Sequence, residues 1–333
     1  MNKIKVSIIG LGEIAQNFYL PNLVNNHLAV ITALCDIQKT KAQILSDKYE
    51  IPMYYSNMDE LLDANVSDAV IICTPTNTHY ELAKKSLIAK KHIYIEKPFV
   101  ESYNEALELA ELAKEMNLIA MVGMNNRFRY DSIMLKNYIK QNYFGKILYI
   151  YSGIHQHKRN IKSFQIAQVE DISVLYDLAL TLLDSIFWIT DFPEIHSIRS
   201  NVFHHSTRKI DDIALATIKL KNGSLISIEA NWNQFDEKTT YYCDIHGTLG
   251  GAEVNPLRLY KKIDGKYTLQ PLLQQMSNYE LYKNSYRNEI NNFIQILQGL
   301  TPEMSSAQES AYILKIIENI KNSSLENKEI IFE

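Results

Sequence analysis

The sequence is short of several things, and each shortage removes a class of function. Only three cysteines occur in 333 residues, Cys35, Cys73 and Cys243, far apart and with no C-x-x-C pair. That argues against a disulfide framework and a thiolate zinc site, and fits reduced thiols in a cytoplasmic protein. The nine histidines show neither H-x-x-x-H nor H-E-x-x-H spacing, so no metal is expected. No block of like charge stands out, and a net charge of −4 gives no reason to expect nucleic acid or an anionic membrane as a partner. No apolar run reaches the length of a membrane span, and the N-terminus reads as a strand rather than a signal peptide. There is no internal repeat and no low-complexity linker.

What is present is apolar content of 46%, ample for sizeable cores, in a chain long enough for two domains. Val6 to Ile9 is a short apolar run with the texture of a strand buried on both faces. Gly10-x-Gly12-x-x-Ala15 follows at once and leads into a helical stretch, the dinucleotide fingerprint in its Gly/Ala form. Gly10 permits the tight turn, Gly12 lets a pyrophosphate approach the backbone, and Ala15 lets helix and strand pack closely. The free N–H groups at the helix start, around Glu13 and Ile14, favour phosphate. A second apolar run, Leu28 to Cys35, ends in Asp36, at the distance expected of an acid that binds the adenosine ribose. Its carboxylate would repel a 2′-phosphate, so NAD is expected. NADP stays open because Lys39 and Lys41 lie close by.

Further strands are expected at Ala69–Cys73, His92–Ile95 and Leu118–Val122, separated by helices over Tyr80–Lys90 and Ser102–Asn117, with Ser102 and Glu105 as a capping box. This alternation means a parallel, doubly wound α/β sheet, with ligands beyond the carboxyl ends of its strands, where Gly10, Asp36, Thr74 and Lys97 fall. After Gly123 the texture changes. Strand runs at 146–154, 213–220, 225–232, 241–246 and 257–261, with helices at 131–141, 173–188, 280–298 and 306–322, indicate an α+β domain with an open, mainly antiparallel sheet. Asn222-Gly223 is a hairpin turn. The expected division is residues 1–122 for the dinucleotide-binding domain and 123–333 for substrate binding and oligomerisation.

Four motifs together resemble the Gfo/Idh/MocA oxidoreductases, relatives of glucose–fructose oxidoreductase and inositol dehydrogenase. They are Gly10-x-Gly12-x-x-Ala15, Cys73-Thr74-Pro75-x-x-x-His79, Glu96-Lys97-Pro98 and Asn126-Arg127-Phe128. The resemblance spans essentially the whole chain. It implies a Rossmann domain, an α+β second domain and NAD(P)-dependent hydride chemistry on sugars or cyclitols. It also implies cofactor contacts from Thr74, Pro75, Asn77, His79, Glu96, Lys97 and Asn126, and a cis bond before Pro98. The family's second-domain helix usually reads Asp-x-Gly-x-His-x-x-Asp after a glycine-rich run. Here it reads Asp177 to Asp184 with Ala179 for the glycine and Thr181 for the histidine, after Glu170-Asp171-Ile172-Ser173. A threonine hydroxyl cannot titrate near neutral pH, so the usual acid–base group is missing from its place.

Lys97 is the leading catalytic candidate, since an ammonium beside a reacting oxygen can donate a proton and stabilise developing negative charge. Glu96 orients it, contacts the nicotinamide ribose or caps a helix. Asp177 and Thr181, four apart, share a helix face with substrate-binding potential, and Asp177 either binds sugar hydroxyls or pairs with Lys97. Arg127, His155 and Tyr176 are further candidates for binding substrate. His155 and His157 point to one face of a strand, and one of them could stand in for the missing histidine. Tyr151 is another proton-donor candidate, and Lys158 and Arg159 follow the two histidines.

Three functions compete: a dehydrogenase or ketoreductase of a sugar, sugar nucleotide or cyclitol; a non-catalytic dinucleotide- or sugar-binding sensor; and a reductase of a non-sugar acceptor. Retention of Lys97 with Asp177 favours the first. A homodimer or homotetramer is expected through the uncovered face of the second-domain sheet, with Ile213-Ala214-Leu215-Ala216 and Leu225-Ile226-Ser227-Ile228 supplying apolar residues.

Overall fold

The computed structural model describes residues 2–157, 173–205, 210–235, 238–272 and 276–332. In the first third, apolar runs become strands and amphipathic runs become helices. The order is β1 (Ile4–Ile9), a π-helical turn (Ala15–Tyr19) running into α1 (Leu20–Val24), β2 (Ala29–Cys35), α2 (Lys39–Tyr49), β3 (Met53–Tyr55) and α3 (Met58–Asp63). β4 (Ala69–Ile72), α4 (His79–Ile88), β5 (His92–Glu96), α5 (Tyr103–Glu115) and β6 (Ala120–Gly123) follow. The six strands form one parallel sheet in the order β3-β2-β1-β4-β5-β6. The order reverses between β1 and β4, the switch point at which such sheets bind ligands. Ser102 caps α5 by accepting from the Glu105 N–H at 3.3 Å, as its spacing indicated.

The second sheet has nine strands in the order β14-β13-β12-β11-β7-β10-β9-β8-β15. α6 (Tyr130–Lys140), β7 (Ile147–His155), a second π turn (Leu175–Ala179) with α7 (Leu180–Ile189), β8 (Ile195–Phe203), β9 (Ile213–Leu220) and β10 (Leu225–Asn231) begin it. β11 (Thr240–Gly247), β12 (Gly250–Val254), β13 (Arg258–Ile263), β14 (Lys266–Gln270), α8 (Asn278–Leu297), α9 (Ala307–Leu325) and β15 (Ile330–Ile331) complete it. All pairings are antiparallel except β10 with β7. The β9–β10 turn puts Gly223 at φ +86°, a conformation glycine adopts without strain.

The chain divides into two compact units, but not at residue 122. The first is Met1–Phe128 with Lys283–Leu314, and the second Arg129–Tyr282 with Lys315–Glu333. The cause is an apolar stripe at helical spacing, Tyr286, Ile290, Phe293 and Ile294, which packs into the same core as Val6, Ile8, Tyr94 and Met121. Among the described residues no helix is long and apolar enough to cross a membrane, and no group of acidic, histidine and cysteine side chains could hold a metal.

The nine-stranded sheet corrects a second expectation. Ala214, Ala216, Ile226 and Ile228 turn to its buried side and are packed in the core. Because strand side chains alternate, only Ile213, Leu215 and Leu225 of those runs face the other way, beside Thr217, Ser227 and Glu229. That other face is aromatic and polar rather than apolar.

Candidate functional site

The fingerprint loop is held from two sides. Gly10 has φ +85°, and a Cβ there would lie 2.7 Å from the Cys73 backbone, so the loop presses against the end of β4 as only glycine allows. From β2, Asp36 reaches back: Oδ2 accepts the Leu11 N–H at 2.9 Å and Oδ1 the Gln38 N–H at 2.9 Å. Lys41 pairs with the same carboxylate at 2.8 Å. Gly12 is different, since a Cβ there would meet no heavy atom within 4 Å. Space therefore opens over the helix start, where Glu13 and Ile14 are at least partly exposed, while Ala15 is buried against the sheet. This cradle fits a dinucleotide pyrophosphate, with Asp36 placed for the ribose.

The turns after β4 and β5 are tied to each other. Nδ1 of His79 lies 2.9 Å from the Pro98 carbonyl and 3.2 Å from that of Phe99, while Nε2 lies 2.8 Å from the Thr74 carbonyl. Burial pushes the His79 pKa down, against those carbonyls, which favour the protonated ring. Expected to touch cofactor, His79 is instead a buried clamp whose two nitrogens are occupied by backbone. Thr74, Pro75 and Asn77 remain accessible on the turn, with the Thr78 hydroxyl 2.7 Å from Thr74 Oγ1.

Lys97 follows the last residue of β5, half-exposed, and its bond to Pro98 is cis. Its backbone N–H donates to Glu96 Oε2 at 3.1 Å, and the Tyr19 hydroxyl donates to Glu96 Oε1. Burial raises the Glu96 pKa, opposed by the Tyr19 bond and the Lys97 charge. Burial also holds the Cys73 thiol well above its ordinary value, with the Glu96 charge adding to it. Asn126 is half-buried in the turn after β6. Its neighbour Arg127 corrects the sequence reading, which made it a substrate ligand. The guanidinium is fully buried, donates to the Met304 carbonyl at 2.8 Å and pairs with Glu309. It fastens the returning segment 283–314 into the first unit.

In the second unit, Tyr176 and Asp177 lie in the π turn and Thr181 on α7. All three are half-exposed, while Leu175, Leu178, Ala179 and Leu182 are buried. The shared face read from the spacing is present. Thr181, however, donates its hydroxyl proton to the Asp177 carbonyl at 2.9 Å, a back-bond common for threonine in helices. The residues preceding this helix, Glu170 to Ile172, and the pair Lys158 and Arg159 lie outside the described residues.

His155 sits on the open face of the sheet, opposite the buried side marked by Ile150, Ser152 and Ile154. The buried side of this strand faces the core, so His155 points away from it. Its Nε2 lies 3.2 Å from Glu229, off the line of a hydrogen bond, and Glu229 also takes the hydroxyls of Tyr151 at 3.3 Å and Tyr242 at 3.2 Å. A Cβ at Gly153 would lie 2.4 Å from the Tyr242 ring, so glycine lets this ring lie flat on the sheet. Sequence reasoning missed this cluster, and it missed Tyr19, Tyr94 and Glu289 beneath Glu96. Ala15 and Tyr19, four apart and both buried, were the available signal for Tyr19.

A family model described as an oxidoreductase family with an NAD-binding Rossmann fold matches residues 4–124, and the C-terminal domain model of the same family matches 133–253. D-glucoside 3-dehydrogenase of Escherichia coli is 22% identical over 331 residues, 94% of this chain and 92% of that protein. An oxidoreductase from Agrobacterium radiobacter, solved with NAD+, L-tartaric acid and magnesium, superposes with a TM-score of 0.87 at 18% identity, covering 99% of this chain and 98% of that one. The WlbA dehydrogenase from Bordetella pertussis, solved with NADH and UDP-GlcNAcA, gives 0.85 at 17% identity over 100% and 99% of the two chains. With its glycine cradle, its Asp36 and both family domains in sequence, the chain belongs to the Gfo/Idh/MocA family of NAD-dependent oxidoreductases.

Proposed function

We propose that the protein is a dehydrogenase or ketoreductase that moves a hydride between NAD(H) and a carbinol or keto carbon of a sugar, sugar nucleotide or cyclitol. The observation that carries this reading is Lys97. It stands at a strand end beside the switch point, its backbone fixed by Glu96 and its turn clamped through Pro98 to His79. NAD is the better fit because Asp36 presents a carboxylate, and Lys41 leaves NADP(H) in competition. Gly12 and the helix start would hold the pyrophosphate, Asp36 the ribose, and Glu96 with Asn126 the nicotinamide end. The cofactor supplies the hydride chemistry. Lys97 gives or takes the proton on the reacting oxygen, and Asp177 and Tyr176 bind substrate hydroxyls. Relatives named as glucoside and myo-inositol dehydrogenases support this substrate class.

General acid–base groups contribute roughly 10²–10⁴ in rate. Lys97→Met should slow hydride transfer by about that factor in stopped flow while NAD affinity stays nearly intact. Wild-type transfer in Lys97→Met would remove Lys97 from the mechanism. A non-catalytic sensor is the second reading, favoured by the engagement of Thr181 with backbone, and absence of turnover on any polyol would select it. The protein is further proposed to be cytoplasmic, on its three free thiols, and to form a homodimer or homotetramer through the open sheet face.

A further inference from the structure

Tyr19 closes the π turn that follows the glycine fingerprint. It is fully buried, and its hydroxyl meets the end of β5. That hydroxyl donates to Glu96 Oε1, while Glu96 Oε2 accepts the Lys97 N–H at 3.1 Å. One carboxyl therefore joins the Tyr19 side chain to the Lys97 backbone, with a different oxygen for each bond. The Tyr94 hydroxyl, two residues before Glu96 on β5, lies 2.7 Å from the Tyr19 hydroxyl. Packing fixes the phenol in this place. The Tyr19 ring stands edge-on to Tyr94 with centroids 5.3 Å apart, and edge-on to Tyr286 of α8 at 6.1 Å. Gly123, paired with Glu96 across β5 and β6, keeps the room, since a Cβ there would lie 2.8 Å from the Tyr94 hydroxyl and 3.4 Å from Glu96 Oε2.

A phenol carries one proton. With Glu96 as the carboxylate, Tyr19 spends its proton on Oε1, so the bond between the two phenols uses the proton of Tyr94. Tyr19 is then donor to Glu96 and acceptor from Tyr94 at once. Burial favours the acid form of Glu96, and the Tyr19 bond, the Lys97 charge and the Lys97 N–H all oppose it. The carboxylate is the form that accepts both bonds at full, charge-assisted strength. The titratable groups facing the Tyr19 hydroxyl are Glu96, Tyr94, Glu289 of α8 and Cys73 after β4, and Lys97 faces Glu96.

We infer that Tyr19 is a positioning residue for the proposed reaction, whose hydroxyl holds the Glu96 carboxylate in the setting in which that carboxylate fixes the backbone of Lys97. The inference rests on the reading of Lys97 as the proton-transfer group. Tyr19 acts only through Glu96. One buried phenol thereby sets Lys97 against the segment that follows the glycine loop.

Tyr19→Phe removes the hydroxyl and keeps the ring, and two measurements on the full chain without cofactor follow the result. In protein labelled with 15N-lysine, the Lys97 amide is assigned by its loss in Lys97→Met. Its hydrogen exchange should speed at least about tenfold in Tyr19→Phe. Infrared titration of the Glu96 carboxyl, read as the difference from Glu96→Gln, should show its midpoint rise by about 1–2 pH units, the worth of one charge-assisted hydrogen bond to the carboxylate. Tyr94→Phe makes a like change in the same packing but keeps the bond from Tyr19 to Glu96, so it should move both readouts less. Glu96→Gln approaches from the other side and should also speed Lys97 exchange. An unchanged Lys97 exchange rate or an unchanged midpoint in Tyr19→Phe overturns the positioning role, as do equal effects in Tyr94→Phe. Hydride transfer in Lys97→Met tests the underlying reading separately. Wild-type transfer there removes Lys97, and the purpose of Tyr19 with it, whereas the two cofactor-free readouts overturn the positioning alone.

Discussion

Gly10 and Gly12 stand two positions apart in one motif, yet the structure assigns them different tasks, and alanine at each separates folding from binding. At Gly10 an alanine must hold φ +85° with its Cβ 2.7 Å from the carbonyl of Cys73. The left-handed conformation alone costs about 1–2 kcal/mol, and displacing backbone at the end of a buried strand brings the total to roughly 2–4 kcal/mol. For a domain of this size each kcal/mol lowers the melting midpoint by about 2–4 °C, so Gly10→Ala should lose roughly 4–16 °C. At Gly12 the new methyl meets nothing within 4 Å, and stability should change by less than about 1 kcal/mol. The methyl instead fills the space a pyrophosphate needs. Losing one charge-assisted hydrogen bond there, about 1.5–3 kcal/mol, weakens NAD binding roughly 10- to 150-fold. Thermal denaturation and calorimetric titration of the two variants are the assays. A Gly12→Ala protein that melts as early as Gly10→Ala, or that binds NAD like wild type, would refute the assignment.

Asp36→Asn keeps an acceptor for the Leu11 N–H but removes the charge that opposes a 2′-phosphate and frees Lys41 to meet one. The ratio of NADP+ to NAD+ affinity should rise about tenfold or more, a change of at least about 1.4 kcal/mol, by titration calorimetry. Burial, with help from Asp36, pushes the Cys35 thiol up to about 12, and burial alone chiefly does the same at Cys243. The thiolate is the reactive form, so at pH 8 both should label roughly a thousandfold more slowly in the native protein than in denaturant, and native labelling within minutes would contradict the burial. Light scattering at micromolar concentration should give a dimer or tetramer mass, and a monomer mass would remove the open sheet face as an assembly surface.

Most of the first unit is legible because its physics is local. Four-residue runs such as Ala69–Ile72 are apolar on both faces, and the turns between strands and helices carry glycine, proline or a capping serine. The segments that escape are those whose pattern is short or mixed. β3 is three residues at a sheet edge. β12 begins with Gly250-Gly251, which reads as a break until the 2.3 Å and 2.4 Å approaches of Tyr260 and Ile245 carbonyls to a would-be Cβ show why no side chain fits. β8 mixes His196, Ser197, Arg199, Ser200 and Asn201 into a strand, and the buried serines are paid for by hydrogen bonds, such as Ser200 Oγ to the Ile320 carbonyl at 2.5 Å. The domain boundary fails for a different reason. Helix α8 is amphipathic in any setting, and nothing local says which core its stripe of Tyr286, Ile290 and Phe293 will enter.

The site divides along the same line. Glycines whose role is backbone geometry can be read from their motif, but the direction of a long polar side chain depends on residues far along the chain. Arg127 looks like a ligand until Glu309 and Met304, some 180 positions away, are seen to enclose it. His155 looks like a spare imidazole until the alternation of β7 sends it to the open face with Glu229.

Thr181 shows what this does to the chemistry. Its one hydroxyl proton is directed at the Asp177 carbonyl, so toward a substrate it offers only a lone pair. A lone pair can accept a hydrogen bond from an alcohol but cannot protonate a ketone or take a proton at neutral pH. Rotating the hydroxyl outward would free the proton at the expense of the back-bond, and the oxygen would still not titrate in the useful range. In the reaction proposed above, proton transfer would therefore fall to other groups. On the first unit the proposed groups are Lys97, at the end of β5, and the carboxyl of Glu96 that accepts its backbone N–H.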